Sequence, residues 1–191
     1  MPDFKDLLIK FDSTLRKYNP KNYERLQPPL PGQEIIHFLD QLHLTDPDIK
    51  ELFEWKNGVD VSKGLNKRHK IFDFGVLFPL EAIVDSAKNY PHEKPGLIAL
   101  IGDSAGDSLR FNNERDADYG KIYVNSVSLL SIDDPYSYYD SLSSMLKTTI
   151  EAYETAIYQY DNDKNILEVD WDRCWKLSKD LNPGSNYWLQ V

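Results

Sequence analysis

The residues best suited to chemistry are Gly102, Ser104 and Gly106, which have the G-x-S-x-G spacing of a serine-hydrolase nucleophile elbow. They follow the apolar run 97–101, as the strand of an elbow would. In this interpretation Ser104 is a nucleophile, and a histidine held by a carboxylate accepts its proton. In the α/β-hydrolase order that histidine follows the serine. All four histidines precede it here, namely His37, His43, His69 and His92.

Two further arguments weigh against hydrolysis by Ser104. A nucleophile elbow leads into a helix, whereas residues 107–111 have the composition of a strand. The chymotrypsin order of His, Asp and Ser belongs to an all-β double barrel, but this chain begins and ends in predicted helices. We therefore predict a turn at Ser104 and no enzyme, and keep a serine esterase only as a remote alternative.

The same loop has some spacings of a calcium loop. Asp103, Asp107 and Glu114 fall at positions 1, 5 and 12, but Ala105 and Ser108 occupy positions 3 and 6. Those two positions need an oxygen ligand and a turn-forming glycine. Cys174 is the only cysteine, so neither an intramolecular disulfide nor a cysteine zinc site can form. We predict no metal and no cofactor, and we expect Cys174 to be buried on a helix.

Charge is unevenly distributed in this chain of 191 residues and net charge −9. Residues 72–170 hold eighteen acidic and seven basic side chains. Such a surface repels phosphate backbones, so we predict no direct nucleic-acid partner and favour a basic protein. The apolar runs are too short to span a membrane, and the acidic start is unlike a secretory signal. We therefore expect a cytoplasmic protein without a membrane partner.

One local basic cluster interrupts this pattern within residues 59–70. It consists of Lys63, Lys67, Arg68 and Lys70 with His69. The segment has no helical or aromatic pattern, so we expect a solvated loop.

Apolar spacing predicts the helices that position these segments. It indicates helices at 3–17, 35–42, 136–160 and 171–181, and one that carries Leu80 and Ile83. A further helix presents Ile49, Leu52 and Phe53 on one face. We expect Thr45 and Asp48 to form its capping box and Asn57-Gly58 to close it. The acidic entry to the helix at 136–160 is Asp133-Asp134-Pro135.

The middle of the chain changes to a strand pattern. Residues 97–101, 108–111 and 121–127 are short, rich in β-formers and separated by turn residues, which predicts an antiparallel meander. The fold class is therefore α+β, a single domain with a central, mainly antiparallel sheet packed with helices. We predict an N-terminal helix and linker at 1–27, the main domain at 28–160, and a C-terminal extension at 161–191 packed on the same domain.

Several motifs occur in a characteristic order between residues 28 and 150. They are the proline-rich entry 28–32, Ile35-x-x-Phe38-Leu39, the segment 49–58 ending Trp55-Lys56-Asn57-Gly58, Phe78-Pro79-Leu80-Glu81, residues 101–107, Gly120-Lys121-Ile122-Tyr123, and the acidic entry at Asp133. Together they resemble the SUKH superfamily, which includes the Smi/Knr-type cell-wall-assembly regulators of fungi.

The resemblance implies a mixed α+β fold and no family active site. Bacterial members are mostly immunity proteins, which bind and neutralise a cognate polymorphic toxin that is often a nuclease. Fungal members act as signalling or scaffolding proteins. We therefore expect a non-enzymatic binding protein, with immunity as the first hypothesis and a regulatory scaffold as the alternative.

The acidic loops supply the candidate contact residues for a toxin or other basic protein. Carboxylates on a loop can occupy a nuclease's phosphate site, and an aromatic side chain can anchor an interface. The alternative is that these carboxylates are only solvent-exposed residues of two hairpin turns and bind no partner. The candidates are Asp103, Asp107, Glu114, Asp116, Asp118 and Tyr119.

Overall fold

The chain folds around one antiparallel sheet. The computed structural model describes residues 3–62, 64–66, 68–89, 96–126 and 135–189. Five strands lie in the sheet in chain order, and two later strands form a separate hairpin. The sheet contains β1 (Val76–Leu77), β2 (Leu97–Gly102), β3 (Ser108–Asn112), β4 (Ile122–Asn125) and β5 (Ser137–Tyr139), and the hairpin contains β6 (Tyr158–Asp161) and β7 (Ile166–Val169).

Helices pack on this sheet from both ends of the chain. Within the described residues they are α1 (Phe4–Tyr18), α2 (Pro20–Tyr23), α3 (Gly32–Gln41), α4 (Pro47–Trp55), α5 (Leu80–Asn89), α6 (Leu142–Glu154) and α7 (Trp171–Leu181), followed by a 3₁₀ turn, Tyr187–Leu189. The predicted α+β class with a mainly antiparallel sheet is confirmed. Over the described ranges no helix has both the length and the apolarity to cross a membrane.

A single hydrophobic core includes both chain ends. Phe11 and Leu15 of α1 are fully buried in it. Cys174 of α7 is also fully buried, as predicted, and the Trp188 indole Nε1 donates to the Tyr138 carbonyl at 2.6 Å. The N-terminal helix and the C-terminal segment therefore help to complete the core around the sheet.

The predicted helix at 136–160 is wrong. Its first residues form β5, which pairs with β4, and Ser141 in extended backbone caps the shorter helix α6. The Ser141 hydroxyl accepts from the Ser144 amide, and the Ser144 hydroxyl accepts from the Ser141 amide. Ala156 at a φ of 55° ends the helix, and β6 follows. Serine replaces the usual glutamate in this capping box, so the sequence signal for a helix start at Ser141 is weak. The continuous apolar spacing therefore predicted one longer helix. The predicted acidic entry 133–135 lies mostly outside the described residues.

Both predicted ends of α4 are also corrected. The N-cap is Asp46 rather than Thr45, because the Asp46 carboxylate accepts from the Asp48 and Ile49 amides at 3.0 and 3.3 Å. The helix ends at Trp55, and Asn57 is not its cap. The buried Asn57 side chain instead accepts from the Leu80 amide at 3.0 Å, at the start of α5.

Gly58 lies where two backbone segments cross. Its φ is +69°, and a Cβ there would sit 2.5 Å from the Phe78 carbonyl carbon and 2.6 Å from the Leu77 oxygen. Across the sheet, a Cβ on Gly102 would meet the Phe78 ring at 2.5 Å. The segments 49–58, 78–81 and 101–107 therefore meet at Phe78, and close packing explains the glycines at positions 58 and 102.

We expect Gly58→Ala to lower the free energy of unfolding by roughly 3 kcal/mol, because it combines left-handed backbone strain with overpacking against main chain. Gly106→Ala is the matched control, since Gly106 also has positive φ, at +92°, but has nothing within 4 Å of a Cβ. Its loss should be about 1 kcal/mol. Urea unfolding of both variants measures this, and equal losses would mean that the crossing tolerates a methyl group.

Candidate functional site

The predicted acidic residues lie at opposite ends of the sheet. Gly102 pairs with Ser108 and Leu97 pairs with Asn112 in the β2–β3 register. The turn 103–107 is therefore at one end of β3 and the connection 113–121 is at the other. At about 3.4 Å per residue, β3 separates them by more than about 14 Å. Asp103 and Asp107 thus form one group, and Glu114, Asp116, Asp118 and Tyr119 form a second.

The turn 103–107 is a tight hairpin. The Asp103 amide donates to the Asp107 carbonyl at 3.1 Å, and the Asp103 carboxylate accepts from the Ala105 amide at 2.8 Å. Its other oxygen lies 3.7 Å from Lys70 Nζ, and the side chain is only 15% exposed. Ser104 is exposed in a turn that leads directly into β3. The strand, turn and helix of a nucleophile elbow are therefore not formed here.

The connection 113–121 is ordered by its own side chains. Asp116 Oδ1 accepts from Asn112 Nδ2 at 3.1 Å and from the Asp118 amide at 2.9 Å. The Asp118 carboxylate accepts from the Tyr123 hydroxyl at 2.9 Å and lies 2.7 Å from Lys121 Nζ. Asp116 is nevertheless exposed, as is neighbouring Glu114. The connection therefore displays carboxylates on a backbone that is already fixed.

Tyr119 ties this connection to α4. Its hydroxyl donates to Asp46 Oδ2 at 2.9 Å, and the Arg115 guanidinium lies 4.2 Å above its ring. The ring also packs edge-to-face against Phe111. Partial burial, followed by the bond to Asp46, raises the Tyr119 pKa. The predicted anchor thus has structural contacts on its hydroxyl and on its ring.

The hydrogen bond from Tyr119 to Asp46 places the β3–β4 connection beside the N-terminus of α4. Asp3, at the N-terminus of α1, lies close enough to act on Asp48 of α4. Burial raises the pKa of Asp48, and the charges of Asp46, Glu51 and Asp3 raise it further. In the sequence Asp46, Asp48 and Glu51 resemble the ordinary acidic start of a helix, so nothing there indicates that Asp3 lies beside them. We define the acidic face as Asp3, Asp46, Asp48, Glu51, Glu114, Asp116 and Asp118.

The predicted solvated basic loop is only partly solvated. Lys63 and Lys67 lie outside the described residues. Lys70 Nζ donates to the Asp73 carbonyl at 3.1 Å besides its contact with Asp103. Arg68 is exposed and, with Lys70, lines a groove of about 620 Å³ against the β6–β7 hairpin. The loop therefore helps to hold the fold through Lys70.

A buried carboxyl group lies at the base of that groove. Asp73 is fully buried, and it accepts from the Tyr138 hydroxyl at 2.6 Å and from the Phe74 amide at 3.0 Å. Burial raises the pKa of Asp73 despite these bonds. Burial, and then the nearby Asp73 charge, raises the pKa of the Cys174 thiol to about 12. Cys174 is consequently a packing residue and an inert thiol.

No family model and no curated protein matches the sequence. The resemblance to the SUKH superfamily therefore rests on the order of its motifs. Within the described parts of the chain, no group of three or more His, Cys, Asp or Glu side chains could hold a metal ion.

We expect Tyr119→Phe to lower the free energy of unfolding by about 1 kcal/mol, because it removes the hydrogen bond to Asp46 and keeps the ring contacts. Denaturant unfolding measures the loss. Tyr187→Phe is the control and should leave the unfolding free energy unchanged, because the Tyr187 hydroxyl has no hydrogen bond within the described residues. An unchanged unfolding free energy would assign the Tyr119 hydroxyl no structural part.

We expect the stability of the protein to fall as pH rises through the Asp73 titration. Burial raises the pKa of Asp73 in the folded state above its unfolded value of 3.8, so folding favours the protonated carboxyl group. The contribution of this proton to the free energy of unfolding is present below pH 3.8 and is lost as pH rises through the folded pKa. Asp73→Asn should abolish this slope, whereas exposed Asp180→Asn should keep it. Urea unfolding of all three proteins from pH 4 to 7 tests this, and parallel profiles would contradict it.

Proposed function

We propose that the protein is a non-enzymatic binding protein, and specifically an immunity protein that binds and neutralises a cognate toxin in the cytoplasm. The observation that carries this proposal is the acidic face. Its carboxylates come from three separated segments, at Asp3, around α4 and in the β3–β4 connection. Hydrogen bonds from Tyr119 and Arg115 join the last two segments.

The β3–β4 connection is preorganised for binding a basic surface. A nuclease toxin must display positive charge where it holds phosphates, and fixed carboxylates can occupy that site in place of the nucleic acid. Hydrogen bonds to the Asp116 carboxylate and between backbone groups already fix the connection 113–121, so little conformational entropy is lost on binding. Burial is the main cause of the raised pKa of Asp48, and the neighbouring charges of Asp46, Glu51 and Asp3 raise it further.

The motif order that resembles the SUKH superfamily supports the same proposal. The runner-up is a regulatory scaffold of the Smi/Knr type, which would use the same face for a different basic protein. The remote alternative is a serine esterase, and an esterase activity that is lost in Ser104→Ala would contradict the non-enzymatic proposal.

The experiment is co-expression with a toxin domain encoded beside this protein's gene. We expect cells to survive the toxin only with the immunity protein present, and the purified pair to form a stoichiometric complex. A correctly folded protein that gives no protection and no complex would contradict immunity. Binding to a cell-wall-assembly protein instead would favour the scaffold.

We expect Glu114→Gln combined with Asp48→Asn to slow association with the toxin several-fold at low salt and to weaken its salt dependence. Association rates measured by stopped flow between about 20 and 300 mM salt test this. Asp172→Asn combined with Asp180→Asn, which removes two exposed charges on α7, is the matched control and should leave the rate unchanged. Unaltered kinetics in the double variant would exclude the acidic face as the contact surface.

A further inference from the structure

A groove of about 420 Å³ lies between α1 and α4. The two helices run side by side in the same direction, because Asp3 acts on Asp48 at one end and Asp12 contacts Trp55 at the other. The groove is lined by Lys5, Leu8, Ile9 and Asp12 from α1 and by Glu51, Glu54 and Trp55 from α4.

Apolar side chains form one part of the groove. Leu8 is buried, whereas Ile9 is 63% exposed, which is unusual for so large an apolar side chain. Trp55 is fixed, because its Nε1 donates to Asp12 Oδ1 at 2.9 Å and its ring packs 5.4 Å from the Phe11 ring. The surface suits an aliphatic chain lying along an indole.

The carboxylates of the groove differ in how they are paired. Asp12 accepts from Trp55, Tyr23 and Arg16, which lower its pKa against the effect of burial. Glu54 lies 2.9 Å from Lys50. Glu51 Oε2 is buried and has no hydrogen-bond partner among the described residues. Glu51 as a whole is half-buried and lines the groove, so a donor from outside can pair with its carboxylate without first breaking an ion pair, as it would have to at Asp12 and Glu54.

We propose that this groove binds an arginine side chain of the basic partner. The aliphatic stem packs on Leu8, Ile9 and Trp55, and the guanidinium donates to Glu51. Arginine fits better than lysine because its planar fork can stack on an indole and still donate to a carboxylate. The partner's identity as a basic protein rests on the proposed function.

The position of the groove agrees with that function. Glu51 belongs both to the groove and to the acidic face, and its charge contributes to the raised pKa of Asp48 nearly one turn earlier on α4. A basic protein drawn to the acidic face thus meets a pocket for one of its side chains at the edge. Lys5 is the one basic residue that lines the groove, and its positive charge repels an incoming guanidinium and so weakens its binding.

The groove can be tested without the toxin. The probe is N-acetyl-arginine amide, titrated into the full ¹⁵N-labelled chain while the Trp55 indole signal is followed. The Trp55→Phe variant identifies that signal. N-acetyl-citrulline amide has nearly the same shape without the charge. We expect saturable shifts with the arginine probe and at least tenfold weaker binding of the citrulline probe.

Variants assign the binding to Glu51. We expect Glu51→Gln to weaken arginine binding about tenfold, and Lys5→Ala to strengthen it. Glu54→Gln is the matched control on the same helix, and its effect should be under twofold because Glu54 is already paired with Lys50. Urea unfolding of each variant confirms that it is folded.

The outcomes separate this proposal from the proposed function. No Trp55 shift, equal binding of the citrulline probe, or full binding by Glu51→Gln would each overturn the arginine groove. Toxin protection would stand in those cases. Arginine-selective binding that depends on Glu51, in a chain that protects against no toxin, would instead support the groove and contradict immunity.

Discussion

At Gly58 two stretches of main chain cross so closely that a methyl group on Gly58 would have no space. The Val59 amide donates to the Leu77 carbonyl, and the Phe78 amide donates to the Leu100 carbonyl, so the crossing joins the end of α4 to β1 and β2. Asn57 completes the junction by accepting from the Leu80 amide at the start of α5. The relative positions of α4, α5 and the sheet depend on this contact, and so does the acidic face that α4 carries.

The structure also separates the charges of the chain. Exposed and half-buried carboxylates lie where the N-termini of α1 and α4 meet the β3–β4 connection, and helix dipoles stabilise negative charge at those N-termini. On another part of the surface, Arg68 and Lys70 border the groove above buried Asp73. An acidic protein with such a distribution can attract a basic partner to one face in a defined orientation.

Much of the fold could be predicted from the sequence. Helix α7 has the predicted bounds, and α1 and the three central strands differ by a few residues, because each has a strong period and clear turn residues at its ends. The predicted helix at 136–160 failed because apolar spacing continues through β5 and β6, where strand pairing overrides it. The two acidic turns were predicted as turns, but their separation by β3 follows only from register.

The sequence by itself determined the α+β class, the buried single cysteine, and the hairpin at Ser104, since these depend on local periodicity and turn chemistry. Only the tertiary structure decided which carboxylates act together. Asp3 and Asp46 are far apart in the chain yet both act on Asp48, and the hydrogen bond from Tyr119 to Asp46 brings the β3–β4 connection against α4. It likewise left Glu51 Oε2 buried without a hydrogen-bond partner among the described residues, while Lys50 on the same helix pairs with Glu54.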